Sequence, residues 1–73
     1  MYYAFVRECV FKDGSKKFYA SCISSDSKVE ASKKAKTHTV EGSISMELID
    51  VDSGETSDIY DKACKKAEQL SNK

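Results

Sequence analysis

One histidine, three glycines and three cysteines leave this chain short of the residues from which reactive sites are assembled. A nucleophile needs a base and a third, orienting group, and the lone His38 supplies neither Cys22 nor Cys64 with both. Zinc takes four ligands, and Cys9, Cys22, His38 and Cys64 lack the close C-x2-C or H-x3-H spacing that holds it. The glycines, Gly14, Gly42 and Gly54, each punctuate a turn or an element boundary, so there is no glycine-rich phosphate loop. An odd number of widely spaced cysteines fits reduced thiols packed as small hydrophobes. No enzyme, metal or cofactor is therefore expected. His38, placed where a helix should end, reads as a favourable charge against the helix dipole or as a surface residue.

Long apolar runs are missing as well. Nothing approaches the roughly 20 residues that span a bilayer, and the start MYYAFVREC lacks the basic end and apolar stretch of a signal peptide. The expected location is the cytoplasm, with no membrane partner. Repeats and low-complexity tracts are absent too. What remains is 73 residues, 40% hydrophobic and 33% charged, which is one folded domain over residues 1–73. A chain this short hides only about 60% of its unfolded surface, so the core must be thin.

Alternation marks the strands. From Tyr2 to Phe11 the chain is rich in aromatic and β-branched residues and apolar on both sides. Asp13-Gly14 then suits a tight hairpin, with a second strand from Lys16 to Ser24. A two-residue loop there sets Phe5 against Cys22 and Cys9 against Phe18, apolar against apolar. Ser27-Lys28-Val29-Glu30 is a capping-box pattern, so a helix starts there and runs to residue 37 or 38, with Ala31, Ser32 and Ala35 as a narrow small-residue face. Residues 43–51 alternate again as a third strand, and Asp52-Ser53-Gly54 reads as a turn. A last helix over residues 58–70 aligns Ile59, Ala63, Ala67 and Leu70 on one stripe.

The order β-β-α-β-α predicts an α+β fold. A right-handed crossover sets the third strand beside the first, giving a three-stranded antiparallel sheet of order 2-1-3. Both helices are expected on one face, over Tyr3, Phe5, Cys9, Phe18, Ala20, Cys22, Ile44, Met46 and Leu48. The other face then carries Tyr2, Val6, Val10, Tyr19, Ile23, Ile49 and Val51 with Ala4, interrupted by Glu8 and Glu47, and nothing is left to cover it. It is either an interface for a protein partner or a homodimer, or an ordinary solvated sheet face.

Charge is balanced overall, twelve bases against twelve acids, but unevenly spread. Residues 1–40 hold eight bases and four acids, a net of +4, and the remainder holds the reverse, a net of −4. Lys28, Lys33, Lys34 and Lys36 on the first helix and Lys12, Lys16 and Lys17 on the hairpin can line one surface and contact phosphates, or they form plain solvated faces. Asp50, Asp52, Glu55 and Asp58 read as a solvated turn or as an acidic patch for a basic partner. They lack the ligand spacing of a calcium loop.

The layout resembles the small anti-CRISPR proteins of phages and mobile elements, of the compact β-β-α-β type that inhibits type I surveillance complexes. The resemblance lies in the opening strand Met1-Tyr2-Tyr3-Ala4-Phe5-Val6 and the Ser- and Lys-rich helix Asp26-Ser27-Lys28-Val29-Glu30-Ala31-Ser32-Lys33-Lys34-Ala35. It continues in Gly42-Ser43-Ile44-Ser45-Met46 and the turn at Asp52-Ser53-Gly54, and the helix from Asp58 departs from it. It implies a non-enzymatic inhibitor that binds a crRNA-guided effector and blocks DNA access by occlusion. The alternatives are a small nucleic-acid-binding regulator using the lysine-rich helix, and a homodimeric structural or adaptor protein.

Overall fold

The computed structural model describes residues 1–37 and 40–72. Strands β1 (Tyr2–Phe11) and β2 (Lys16–Ser24) precede helix α1 (Lys28–Thr37); strand β3 (Ser43–Gly54) and a 3₁₀ turn (Ser57–Ile59) lead into helix α2 (Tyr60–Ser71). The sheet is three-stranded and antiparallel, in the order β2-β1-β3, as the pattern predicts. The expected end of α1 at His38 lies outside the described residues. At the start of α1 the Ser27 hydroxyl accepts from the Glu30 amide at 3.2 Å, the serine half of the capping box. The Glu30 carboxylate instead accepts from the Ser25 hydroxyl at 3.4 Å, tying the helix start to the end of β2.

The hairpin register differs from expectation. Phe5 stands opposite Ser21 and Cys9 opposite Lys17, not Cys22 and Phe18. The cause is a three-residue loop. The Gly14 amide donates to the Phe11 carbonyl at 2.9 Å, and the Phe11 amide donates to the Ser15 carbonyl at 2.9 Å. Gly14 takes φ +87, a left-handed conformation that completes a three-residue hairpin. Asp13 fastens the turn by accepting from both the amide and the hydroxyl of Ser15, at 2.9 and 2.6 Å. One extra loop residue turns every β2 side chain to the opposite face relative to β1.

That change decides how the layers stack. Neighbours on a strand point to opposite faces, and Ala4 and Phe5 are each 1% exposed. Phe5 packs with Ala31 and Ala35 of α1, joined by Tyr3, Ile23 and Leu48. Ala4 packs with Ile59 and Ala63 at the start of α2, joined by Tyr2, Ala20, Cys22 and Val51. The helices therefore lie on opposite faces of the sheet, correcting the expectation that both cover one. The molecule measures 38 × 25 × 14 Å, the dimensions of a helix-sheet-helix sandwich only three strands wide. β1 is apolar on both sides because both of its sides are covered.

β3 is longer than expected. Asp52, Ser53 and Gly54 form no turn but pair with Ala4, Tyr3 and Tyr2. A register shift between Ala4 and Phe5 leaves Val51 as an extra residue, so the strand bends and keeps pairing to the end of β1. A second shift lies between Val10 and Phe11, and Ile44, expected in the core, is 61% exposed.

Burial on both faces gives a direct test. Phe5→Ala is expected to cost about 3–5 kcal/mol, most of the margin of so small a domain. Ala35→Glu and Ala63→Glu each bury a charge against a different face of the sheet, so each should lower the urea midpoint sharply. If one of the two left the midpoint unchanged, its helix would not be packed as described.

Candidate functional site

The residues expected to make one open apolar face are divided between two layers. By register, Tyr2, Val6 and Val10 share a face with Ile49, while Tyr19 and Ile23 lie on the other with Phe5. Tyr2 and Val51 pack around α2, Ile23 packs around α1, and Val6 is fully buried. A dimer through Val6 is thereby ruled out. Of the set, only Tyr19 is an exposed residue, at 37%. Val10 and Ile49 stay half-buried on the α2 side of the sheet.

The lysines are placed more coherently. Lys28 opens α1 and pairs with Asp50 at 2.6 Å; Lys34 donates to the Ser24 carbonyl at 3.5 Å. Lys33 projects from the helix away from Ala31 and Ala35, beside Val29, which is 65% exposed, while Lys36 lies on the flank that borders β3. Among the described residues neither makes an ion pair, and neither does Lys12 in the hairpin turn. Lys17 lies on the α1 side, its ammonium 5.5 Å from the Phe11 ring centre. Lys16 is the exception, since it faces the α2 side and pairs with Glu8 at 3.4 Å. The α1 lysines and Lys17 thus share one side of the sandwich, and Lys16 does not.

Acids gather on β3. Residues 41–58 contain six acids and no lysine or arginine. The Asp50 and Asp52 pair expected as a patch is split by the Val51 bulge, one going to each face. Lys28 of α1 takes Asp50, and Lys62 of α2 takes Asp52 at 2.6 Å. Glu47, by contrast, stands directly opposite Glu8 on β1, like charge against like, with Lys16 bound to Glu8 alone. Residue spacing alone could not reveal that pair, because it depends on the β1–β3 register.

Burial acts on two of the three thiols, Cys9 and Cys22. Cys9 is fully buried and burial pushes its pKa up, with Arg7 opposing; burial raises Cys22 likewise. The Tyr60 hydroxyl sits beside both Cys64 and Cys22, and its hydrogen bond with Cys64 is the first cause of its raised pKa. Such shifts run opposite to those of an activated nucleophile. His38, the base considered for Cys22 or Cys64, lies outside the described residues. Among the described residues no group of three His, Cys, Asp or Glu side chains is arranged to hold a metal, and no helix is long and apolar enough to cross a membrane.

Open grooves border these charges, among them one of about 150 Å³ beside Lys28, Asp50 and Asp52. Another, of about 610 Å³, lies between β2 and the end of α2, lined by Phe18, Tyr19 and Leu70 beside the Lys16–Glu8 pair. Two others flank the middle of β3. The first, about 440 Å³, is on the α1 side, with Met46 and Leu48 beside Lys36; the second, about 130 Å³, is on the α2 side, between Glu47, Glu8 and Val10.

Asp52 ties β3 to α2, and its titration is a measurable consequence. The hydrogen bond from Lys62, then that from the Ser53 amide, hold its carboxyl below the ordinary value of 3.8. A depressed folded-state value means that the contact contributes fully above about 3.8 and is lost as pH falls through the folded value. Asp52→Asn is therefore expected to lower the urea midpoint at pH 7 and to narrow its difference from wild type at pH 2–3. An unchanged difference at both pH values would remove the contact from the stability of the fold.

Comparison of the chain with protein-family models, curated proteins and solved structures finds no match.

Proposed function

We propose that this protein is a non-enzymatic binding module that occupies a surface of a nucleic-acid-processing protein complex and blocks it by occlusion. The separation of charge across the fold carries this reading. Lys33 stands on the outward side of α1 and Lys36 on its flank, while residues 41–58 on and around β3 carry acids and no base. Complexes that handle nucleic acid offer basic channels and bound phosphates side by side. A small domain with one basic side and one acidic edge has a complement for each. Occlusion requires placement and no reactive group, and the buried Cys9 and Cys22 thiols are raised rather than activated. The resemblance to small anti-CRISPR proteins supplies a class of target, a crRNA-guided effector in a host cytoplasm.

Capture from a bacterial lysate containing such an effector, using tagged protein with and without nuclease, tests the reading. One stoichiometric protein complex should survive nuclease. Its retention should weaken roughly tenfold, about 1.4 kcal/mol, when Lys33→Glu and Lys36→Glu are combined. Turnover of a substrate by the purified protein alone would overturn it.

A second reading is favoured by the lysines without ion pairs, namely a small nucleic-acid-binding regulator. It predicts duplex affinity that falls with salt at a log–log slope of about −0.9 per phosphate contacted, reduced by about one contact in Lys33→Gln. Binding indifferent to salt, or none at low salt, would exclude it.

A further inference from the structure

The outer edge of β3 has the form of a receptor for another strand. Between its two register shifts, residues 45–50 pair regularly with β1, giving a six-residue span of an outer strand in which one side of the backbone ladder faces outward. β3 is an outer strand of the sheet, α2 packs mainly against β2, and α1 borders the span on one face only, through Ser32 and Lys36. An added strand needs room for side chains on both faces. Both β3 grooves lie along this same span, the one on Met46 and Leu48 on the α1 side and the one on Glu47 and Glu8 on the α2 side.

The chemistry of the two grooves differs. Half-buried Met46 and Leu48 are the apolar part of the α1-side groove, which Ser32, Lys36 and Asp50 border. On the opposite face Glu8 and Glu47 confront each other with the single ammonium of Lys16 between three strands, bound to Glu8 at 3.4 Å. A second cation there would relieve the like-charge pair. Successive residues of an extended strand point to alternate faces, so a matching segment alternates apolar and basic residues.

We propose that residues 45–50 of β3 accept an extended segment of a protein partner, alternating apolar and Lys or Arg residues, as a fourth strand of the sheet. This deepens the binding-module reading by naming the surface and the chemistry of the partner. Main-chain hydrogen bonds along the edge give the affinity, and the Glu8–Glu47 pair selects the basic side chain.

The test uses the whole labelled protein and a synthetic probe, so it can fail while lysate capture succeeds, and the reverse. A capped Lys-Val-Lys-Val-Lys-Val peptide should shift the amide resonances of residues 45–50 and slow their exchange with solvent. Glu47→Lys should weaken binding at least roughly tenfold. A Glu-Val repeat, or the lysine peptide with alternate amides N-methylated, should not bind. Shifts confined to α1, or none at millimolar peptide, would overturn the proposal. So would concentration-dependent protection of residues 45–50 without peptide, because the occupant would then be a second copy of this chain.

Discussion

Everything in this fold depends on a central strand that buries both of its faces. Ala4, Phe5 and Val6 are consecutive and at most 1% exposed, which is satisfied only if a layer sits above β1 and another below it. The chain has two short helices to spend on this, and both are lined with alanine where they meet the sheet. Ala31 and Ala35 on one side and Ala63 and Ala67 on the other let each helix backbone come close. Close approach allows about seventy residues to build a three-layer sandwich with few large buried side chains, Phe5, Val6 and Cys9 being those fully enclosed.

A thin core places more weight on the connections between layers. Polar ties occur where each helix begins. Lys28 reaches Asp50, Ser27 and Ser25 hold Glu30, and Lys62 reaches Asp52. The two aspartates are separated by one bulged valine, and that bulge turns them to opposite faces, so each serves a different helix. Exposed ion pairs contribute little individually, about 0–1 kcal/mol. Their consequence here is geometric, because they neutralise the acids near the helix starts and leave Glu47 as the uncompensated one in the middle of the edge.

Much of this was legible in the residues, and the failures have one origin. Element order, strand order and the capping serine follow from alternation, helical stripes and the Ser27–Glu30 spacing, which are local signals. The layer assignment hung on whether the Asp13-Gly14 loop holds two residues or three, and apolar pairing of Phe5 with Cys22 favoured the wrong choice. Ser15 decides it by donating twice to Asp13, a contact that no periodicity reports. Once the register moves by one, Phe18, Ala20 and Cys22 pass to the α2 face and the supposed open apolar face disappears. The two-sided apolarity of β1 is the available clue, because it fits a sheet covered on both faces as well as a central strand. The lysine side of α1 was legible because helical spacing is enough to place it; the Glu8–Glu47 confrontation was not, because it exists only in the β1–β3 register.

Open edges are a hazard for a small sheet, and the charge pattern shows how this one is managed. β2 begins with Lys16 and Lys17, and β3 with its flanks carries only acids. A symmetric antiparallel dimer centred on Glu47 of β3 would set like charges against each other, so isologous pairing is repelled at that edge. Net charge is zero, a value that ordinarily favours association. Segregating the charge gives each edge its own sign and restores local repulsion without a net field. The same arrangement is permissive toward a strand of opposite sign. The protection against self-pairing and the selectivity for a basic partner at β3 therefore come from the same side chains, Glu47 foremost among them.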